Sequence, residues 1–307
     1  MPRRRSIEGD AAPTGRPAQV LPEGFGARAD HLLRHPRFRP ALARYCASMS
    51  AGASIRWPYY KLFDQLGRYL VCFMLIHNYY AWRYRGGPPP TLSALQKVAG
   101  VSARHTAGFV AALKAGRLVE VAADPADRRA TLLVPTAIVI AEIGRSMRLF
   151  VEAVDAIEER RPGHAEALAD PHRLGDLISR SAAYVLANGT LLHAFPGVLH
   201  FTQRDCGYPL LTAVVGRHYA QTLDAAPPAE PLLRRALAGR LQVSPAHVGS
   251  LLAEAEARGW FAVGPGGSVT WMAEPFLDEF ERWSAWQMAH FEALREPSDE
   301  APAALPA

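Results

Sequence analysis

Apolar residues recur at helical spacing in two short stretches that lie close together in the chain. They are Leu92, Leu95 and Val98 in the first stretch and Val101, Phe109, Val110 and Leu113 in the second. This spacing predicts two short helices. Between the stretches, Gly100 suits the end of one helix and Ser102 suits the N-cap of the next, because a serine hydroxyl accepts a hydrogen bond from a free backbone N–H. The second helix is therefore predicted to begin at residue 103.

Two short apolar strands follow the second helix. Residues 118–121 and 131–134 are rich in Leu and Val, and the residues between them include Asp124, Pro125 and Asp127, which favour turns. The pattern predicts a β-hairpin. Helix, turn, helix and hairpin in this order make up a winged helix-turn-helix, in which the second helix enters the major groove of DNA and the hairpin is the wing.

Longer helices are predicted on both sides of this unit. One runs from residue 59 to about 84 and is rich in aromatic residues, and another covers 137–159 with an apolar face at helical spacing. Before them, residues 29–48 are predicted to form short helical pieces broken by Pro36 and Pro40. The aromatic stripe is compatible with a packed core and with a ligand pocket, although core is the commoner case.

The second half of the chain repeats the first. The segment VSPAH at 243–247 matches VSARH at 101–105, and the match continues into a second pair of strands and a second long helix at 275–293. We call the difference between these two positions, 243 − 101 = 142 residues, the repeat offset. So long a period indicates two copies of one domain rather than a solenoid. Because two copies of one domain commonly associate with two-fold symmetry, one chain with both copies is predicted to build a pseudo-two-fold body alone.

The predicted fold is mainly α with small β-hairpins: two winged helix-turn-helix domains in tandem that form a pseudo-two-fold body with long terminal helices. The expected segments are a disordered basic arm at 1–27, a first, DNA-binding domain at 28–160, a linker at 161–173, a second, diverged domain at 174–296 and a disordered tail at 297–307. The arginines of the arm have two interpretations, a solvated tail or a contact with phosphates.

Composition narrows the class of partner. The net charge of +5 over 307 residues favours an anionic partner. Cys46, Cys72 and Cys206 are far apart and form no zinc-binding or disulfide pattern, so a cytoplasmic protein without a metal or other cofactor is expected. No secretory signal follows the basic start, and no apolar run is long enough for a membrane helix, so a membrane partner is not expected.

The tip of the first hairpin reads DPADRR at 124–129, followed by the apolar strand TLLV and then Pro135 and Thr136. Paired Asp and Arg at a hairpin tip are not expected to be needed for packing. The run resembles the MarR family of bacterial transcription regulators, in which an Asp-x-x-Asp-Arg-Arg wing precedes an apolar strand and a threonine that starts the next helix. The resemblance covers roughly residues 58–159. It departs from the family at one place, where Arg117 takes the usual glycine position and Gly116 comes one residue early.

The resemblance implies a DNA-binding transcription regulator, expected to be a repressor and to bind double-stranded DNA. In that family the helix before the DNA-binding unit helps to make the dimer interface and a cleft for small aromatic ligands. This implies a candidate ligand pocket at Trp57, Tyr60, Tyr69, Phe73 and Tyr80. The chain is expected to be a monomeric pseudo-dimer, with further dimerisation left open.

Helix geometry turns the start of the second helix away from its packing face. Together with the cations of the helix and the wing, this predicts a DNA-binding surface of Ser102, Ala103, Arg104, His105, Lys114, Arg117, Arg128 and Arg129, with Asp124 and Asp127 in the wing. Arg104 can pair bidentately with guanine, and Arg128 or Arg129 can enter a minor groove. For Arg104 and Arg128, DNA contact is favoured over the alternative of a charged face exposed to solvent. For His105 the two interpretations are equally good.

The second copy carries less positive charge in the corresponding elements. Its second helix contains Glu254 and Glu256, and its hairpin turn, GPGGS at 264–268, has no charge. Phosphate contacts supply much of the affinity of protein–DNA complexes. The first copy is therefore predicted to bind DNA. For the second copy two interpretations stay open: a domain kept for packing, which is favoured and gives His247 little importance for binding, or weak contact with the DNA backbone through Ser244, His247, Ser250, Arg234, Arg235 and Arg240.

The sequence contains no nucleophile, base and orienting group at a spacing that supports catalysis, so an enzyme is not expected. Two alternatives to the regulator stay open. A plasmid-type replication initiator also joins two winged helices in one chain, but it predicts basic residues in both copies. A winged-helix scaffold that binds only protein predicts no basic wing.

Overall fold

Helices make up most of the described chain, and two small antiparallel hairpins are the sheets found within it. The computed structural model describes residues 25–51, 63–124, 127 and 129–295. The helices are α1 (Phe25–Arg34), α2 (Phe38–Ser50), α3 (Leu66–Arg85), α4 (Leu92–Val98), α5 (Ala103–Ala115), α6 (Ala137–Ile143), α7 (Arg145–Glu158), α8 (His164–Ala167), α9 (Pro171–Asn188), α10 (Pro196–Thr202), α11 (Gly207–Thr222), α12 (Arg234–Leu241), α13 (Pro245–Ala257) and α14 (Glu274–Ala293), with a 3₁₀ turn at Leu191–Ala194. The strands are β1 (Val119–Ala123), β2 (Thr131–Pro135), β3 (Phe261–Val263) and β4 (Val269–Met272). The prediction of a mainly helical chain with two small hairpins is confirmed.

Two predicted helix boundaries before the first unit are wrong. The aromatic helix α3 begins at Leu66 and not at residue 59, since residues 63–65 form a turn and a bend. Pro40 does not break its helix, because it lies in the first turn of α2, where the backbone N–H that proline lacks has no partner within the helix. The predicted arm at 1–27 lies mostly outside the described residues, and so does the tail at 297–307.

The predicted helix at 137–159 is divided into α6 and α7 at Gly144. The helix α9 approaches closely at this point. A Cβ on Gly144 would lie only 2.6 Å from the side chain of Leu174, so the absence of a side chain at the division lets Leu174 pack into it. The prediction of a single long helix was therefore wrong, although its apolar face is buried as predicted.

The order of α4, α5, β1 and β2 is repeated as α12, α13, β3 and β4. In both units a serine caps the second helix. The hydroxyl of Ser102 accepts a hydrogen bond from the N–H of His105 at 3.2 Å, and that of Ser244 accepts one from the N–H of His247 at 3.1 Å. The two capping serines are separated by the repeat offset, as the sequence predicts.

Left-handed backbone conformations also occur at matching positions. Gly100 (φ 70°) follows the first helix of the first unit, where the second unit has Gln242 (φ 51°). After the second helix, Arg117 (φ 54°) corresponds to Gly259 (φ 69°). Left-handed residues are uncommon outside glycine, so their recurrence at the repeat offset supports a shared backbone path for the two units.

Each hairpin is held by a third segment of chain. The N–H of Leu133 donates to the carbonyl of Pro90 at 2.8 Å, and the N–H of Leu232 donates to the carbonyl of Gly267 at 2.8 Å. Pro90 and Leu232 are again separated by the repeat offset. The register of the two sheets runs from Val119↔Pro135 to Ala123↔Thr131 and from Phe261↔Met272 to Val263↔Val269, with an irregularity between Ala262 and Val263.

The two halves exchange helices at their interface. The helix α2 packs along α11, and α9 packs along α3, while α1 packs against α14. Glycine allows both close approaches: a Cβ on Gly175 would lie 2.2 Å from the ring of Tyr80, and one on Gly216 would lie 3.2 Å from Cβ of Cys46. The buried side chains of both halves therefore form one hydrophobic core.

Polar contacts follow the same exchange. Arg85 of α3 forms an ion pair with Asp176 of α9 at 2.8 Å. Arg39 of α2 forms one with Glu281 of α14 at 2.8 Å, and the hydroxyl of Tyr219 donates to the same carboxylate at 2.8 Å. Both ion pairs join an element of one half to an element of the other.

The junction between the halves is packed against both of them. Residues 161–173, the expected linker, contain α8 and the first residues of α9. Beside them, Glu292 of α14 accepts from Arg28 of α1 at 2.6 Å and from Arg160 at 2.5 Å, and both arginines also pair with Glu158 of α7. This cluster ties α1, α7 and α14 together next to the junction.

Replacing Gly175 by alanine is expected to lower the free energy of unfolding by about 2 kcal/mol, because the new methyl group would overlap the buried ring of Tyr80. Urea denaturation measures the change. Gly239→Ala in α12 is the matched control: no atom lies within 4 Å of the position of its Cβ, so it should stabilise the protein by about 0.5 to 1 kcal/mol. A neutral result for Gly175→Ala would contradict the close packing of α3 on α9.

Candidate nucleic-acid interface

The helix α5 turns one face to the core and the other to solvent. Its buried side chains are Thr106, Phe109, Val110 and Leu113. The carbonyl of Ser102 accepts from the hydroxyl of Thr106 at 3.1 Å, and Gln96 of α4 donates to the carbonyl of Ala103 at 2.9 Å. These bonds hold the N-terminal end of α5 in a defined orientation relative to α4.

The described basic residues of this unit that are predicted to contact DNA lie on its solvent face. In and next to α5, the residues Ser102, Ala103, Arg104, His105, Lys114 and Arg117 are all exposed. The four basic side chains among them form no ion pair or side-chain hydrogen bond with any described residue. Because α5 also contains no acidic residue, its positive charge is not compensated within the helix.

The tip of the first hairpin lies beyond this helix in sequence and is only partly described. Arg129 is exposed, and its backbone N–H donates to Oδ1 of Asp127 at 3.0 Å, so Asp127 shapes the turn. Asp124 is buried at 5 % exposure, and its N–H donates to the carbonyl of Ala130 at 3.1 Å. Its side chain is therefore enclosed by the hairpin rather than exposed at the tip. Arg128 lies outside the described residues.

Arg117 occupies a backbone conformation that costs an L-amino acid about 1 kcal/mol or more, at the position where the second unit has Gly259. The side chain is exposed and has no bonding partner among the described residues that would offset this cost. An arginine at such a position is consistent with a role outside the fold, such as contact with an anion.

We expect Arg117→Gly to raise the free energy of unfolding by about 1 kcal/mol by relieving this strain. If α5 and its flanks form the DNA-binding surface that the sequence predicts, the same change also weakens DNA binding several-fold by removing one phosphate contact. Denaturation and fluorescence anisotropy measure the two effects. Gly259→Arg is the reciprocal variant in the second unit, and it should destabilise the protein without weakening DNA binding. A gain in both stability and affinity for Arg117→Gly would remove Arg117 from the interface.

The corresponding helix of the second unit, α13, is partly covered by the chain before α11. The carbonyl of Asp205 lies 2.9 Å from Nε2 of His247. Glu254 of α13 pairs with His200 at 3.4 Å, with Arg204 at 3.5 Å and with Arg258 at 3.1 Å. His247 and Glu254 of α13 are therefore bound to other residues of the protein.

The charges of the two helices differ in sign. The helix α5 contains Arg104 and Lys114 and no acid, whereas α13 contains Glu254 and Glu256 and no lysine or arginine. Burial lowers the pKa of His200, which opposes a positive charge beside Glu254. The arrangement of α13 therefore offers less attraction to a polyanion than that of α5.

A cavity of about 240 Å³ lies between the two halves. Of the residues predicted to form a ligand pocket, Tyr69 and Phe73 line it. Tyr80 does not, because it is buried between α3 and α9, where its hydroxyl donates to the carbonyl of Pro171 at 3.2 Å. Trp57 and Tyr60 lie outside the described residues.

Sequence reasoning missed two groups of residues at these sites. The first group covers α13 and includes Arg204 and Asp205. These residues lie just before α11, in a segment that contains no recognisable motif. The part of the cavity wall formed by Trp283, Gln287 and Phe291 was assigned to an ordinary apolar helix. The regular spacing of these three, one helical turn apart, was the available signal, since it places them on one face of α14.

Other classes of site receive no support from the described residues. No group of three or more His, Cys, Asp or Glu side chains there is arranged to hold a metal ion. The three cysteines are buried free thiols. None of the helices in the described ranges combines the length and the apolar character needed to cross a membrane.

Comparison with known proteins adds no relative. No protein-family model, no curated protein and no solved structure matches the chain. A function therefore has to be inferred from the geometry and charge of the residues themselves.

Proposed function

We propose that this chain is a DNA-binding transcription regulator of MarR-like type, acting as a repressor. The observation that carries the proposal is the exposed face of α5, where Arg104, His105, Lys114 and Arg117 have no acidic partner among the described residues. Uncompensated positive charge on a helix that follows a short helix and precedes a hairpin is the arrangement that winged helix-turn-helix proteins use to bind DNA.

In this proposal α5 is the recognition helix and enters the major groove. Arg104 lies near its N-terminus, the part of a recognition helix that contacts base edges, and can form a bidentate pair with guanine. Short residues next to it allow the helix to approach the bases closely. The hairpin of β1 and β2 then lies along the adjacent minor groove, where Arg129 contacts the backbone or the groove.

The two halves act together as a single-chain pseudo-dimer. The exchange of helices supports this view, because α2 covers α11 in the same way as α9 covers α3. The matched N-caps and left-handed residues support two copies of one winged-helix domain. The pseudo-two-fold arrangement orients both units on one body without a second chain.

The second unit contributes mainly to the packing of the fold and little to DNA binding. The ion pairs of Glu254 and the contact of His247 with Asp205 occupy polar groups at positions that the first unit leaves exposed. This asymmetry disfavours the replication initiator, which should present basic residues on both units. The basic face of α5 disfavours a scaffold that binds only protein.

Selection of bound sequences from random DNA, followed by footprinting, tests the proposal. The purified chain is expected to enrich one short sequence in which one half-site is strongly specified and the other weakly. Protection of several tandem repeats would support the initiator instead. No enrichment and no protection would support the scaffold and contradict the regulator.

A further inference from the structure

Gly108 lies in the middle of α5, at a position where the fold does not require a glycine. It belongs to the regular helix and is not one of the described left-handed residues. A Cβ built on it would meet no atom within 4 Å. Glycine is the least favourable residue in a helix interior apart from proline, because it loses the most backbone freedom on folding. Gly108 therefore makes α5 less stable than alanine would, without improving its packing.

Other helical glycines of the chain differ from Gly108 in their surroundings or their position. A Cβ on Gly144 would lie 2.6 Å from the side chain of Leu174, and one on Gly175 would lie 2.2 Å from the ring of Tyr80, so neighbouring side chains explain both glycines. Gly239 of α12 is as open as Gly108, but it lies in the second unit. The distinguishing feature of Gly108 is that it follows Arg104 by one helical turn on the exposed face of α5.

The exposed face of α5 changes in chemistry at Gly108. Arg104 and His105 precede it, whereas the exposed residues of the turn after it are Ala111 and Ala112. A glycine and two alanines offer no side-chain donor or acceptor to a base edge. The apolar group that a base pair presents in the major groove is the 5-methyl group of thymine. This part of α5 therefore suits thymine, while Arg104 suits guanine.

Helix geometry sets the separation between the two bases. Four residues of an α-helix span about 6 Å, and successive base pairs lie about 3.4 Å apart. In a helix that lies along the major groove, position 108 therefore faces a base pair about two steps from the one that Arg104 contacts. The bond from Gln96 to the carbonyl of Ala103, at 2.9 Å, holds the start of α5 in place and so supports this spacing.

We propose that Gly108 is a specificity-determining residue, and that the space beside it holds the 5-methyl group of a thymine about two base pairs from the guanine bound by Arg104. This inference rests on the proposed function and names the class of DNA sequence that α5 reads. The second unit lacks both determinants, since the repeat offset places Ala246 at the position of Arg104 and Ser250 at that of Gly108. The thymine is therefore read in one half-site.

Exchange of thymine for uracil tests the proposal, because the two bases form the same pair with adenine and differ only in the 5-methyl group. The operator is the sequence selected from random DNA, and its guanine is the one whose specificity is lost in Arg104→Ala. Uracil at every thymine within about two base pairs of that guanine should weaken binding of the full chain about three- to tenfold. Uracil at the other thymines is the control and should change affinity by less than about twofold.

Gly108→Ala is the matched change on the protein. Its added methyl group occupies the space of the thymine methyl group, so the variant should bind the thymine operator about tenfold more weakly, and the uracil operator at least as well as the thymine one. The variant should also resist urea better than the original protein, since no atom opposes its Cβ. Gly239→Ala should gain similar resistance and keep the original preference for thymine. Fluorescence anisotropy measures the affinities.

The outcomes separate this inference from the proposed function. Absence of binding to any DNA would overturn both. Three results would leave the regulator standing and overturn the role of Gly108: a bound operator without thymine near the guanine, equal affinity of the original protein for the thymine and uracil operators, or an unchanged preference for thymine in Gly108→Ala.

Discussion

Replacing Arg104 and Arg129 together by alanine is expected to weaken DNA binding by about 100-fold in moderate salt. In the proposed complex Arg104 makes the main base contact of α5 and Arg129 makes the contact of the hairpin, and each is expected to contribute about a factor of ten. Both side chains are exposed and have no ion pair with a described residue, so stability should change little. Fluorescence anisotropy on the selected DNA measures the loss.

A control of equal charge distinguishes a local contact from the effect of net charge. Arg235→Ala with Arg282→Ala removes two exposed arginines from α12 and α14 and should weaken binding less than about twofold. The slope of log affinity against log salt concentration should fall by about 1 in the Arg104 and Arg129 variant, because only Arg129 is placed against the phosphate backbone, and it should not fall in the control variant. Equal losses in the two double variants would mean that the first unit has no special role.

Acid is expected to destabilise the protein through His290. This residue is 4 % exposed, and burial lowers its pKa to about 4. The unfolded chain, with a pKa near 6.5, takes up a proton more readily than the folded protein does. The contribution of neutral His290 is therefore fully present above about pH 6.5 and is lost as the pH falls towards 4, by up to about 3 kcal/mol.

Denaturation by urea at pH 7 and pH 4.5 measures this effect. The loss of stability between the two pH values should be smaller by about 2 to 3 kcal/mol in His290→Gln than in the original protein. His31→Gln, an exposed residue of α1, controls for the removal of a histidine elsewhere. If His290→Gln lost as much stability in acid as the original protein, the acid sensitivity would lie in other groups. Glu158 is one such group, because burial raises the pKa of its carboxylate but pairing with Arg28 and Arg160 lowers it further.

Local signals in the sequence predicted most elements of the two units. Ser102 and Ser244 cap their helices as expected, because the N-cap is decided by a single side chain and its nearest backbone neighbours. The matching segment at 243–247 indicated where α13 begins, since two copies of one pattern share their helix starts. The exposed positions of Arg104 and His105 followed from helical periodicity.

Features that depend on distant parts of the chain could not be predicted in this way. The division of α6 and α7 at Gly144 depends on the approach of Leu174, and the burial of Tyr80 depends on Gly175. The cover of α13 depends on Asp205, which lies far from His247 in sequence. Periodicity identifies the apolar face of a helix, but it does not specify which element packs against that face.

The exchange of helices between the halves has a consequence for synthesis. When the ribosome has released only the first half, the side of α3 that α9 covers is exposed, and α2 has no α11 to pack against. The first half therefore completes its packing only after much of the second has emerged, and until then its apolar surface is open to aggregation. Joining both copies in one polypeptide offsets this delay, because the missing helices arrive tethered and at high local concentration, whereas two separate chains would have to meet by diffusion.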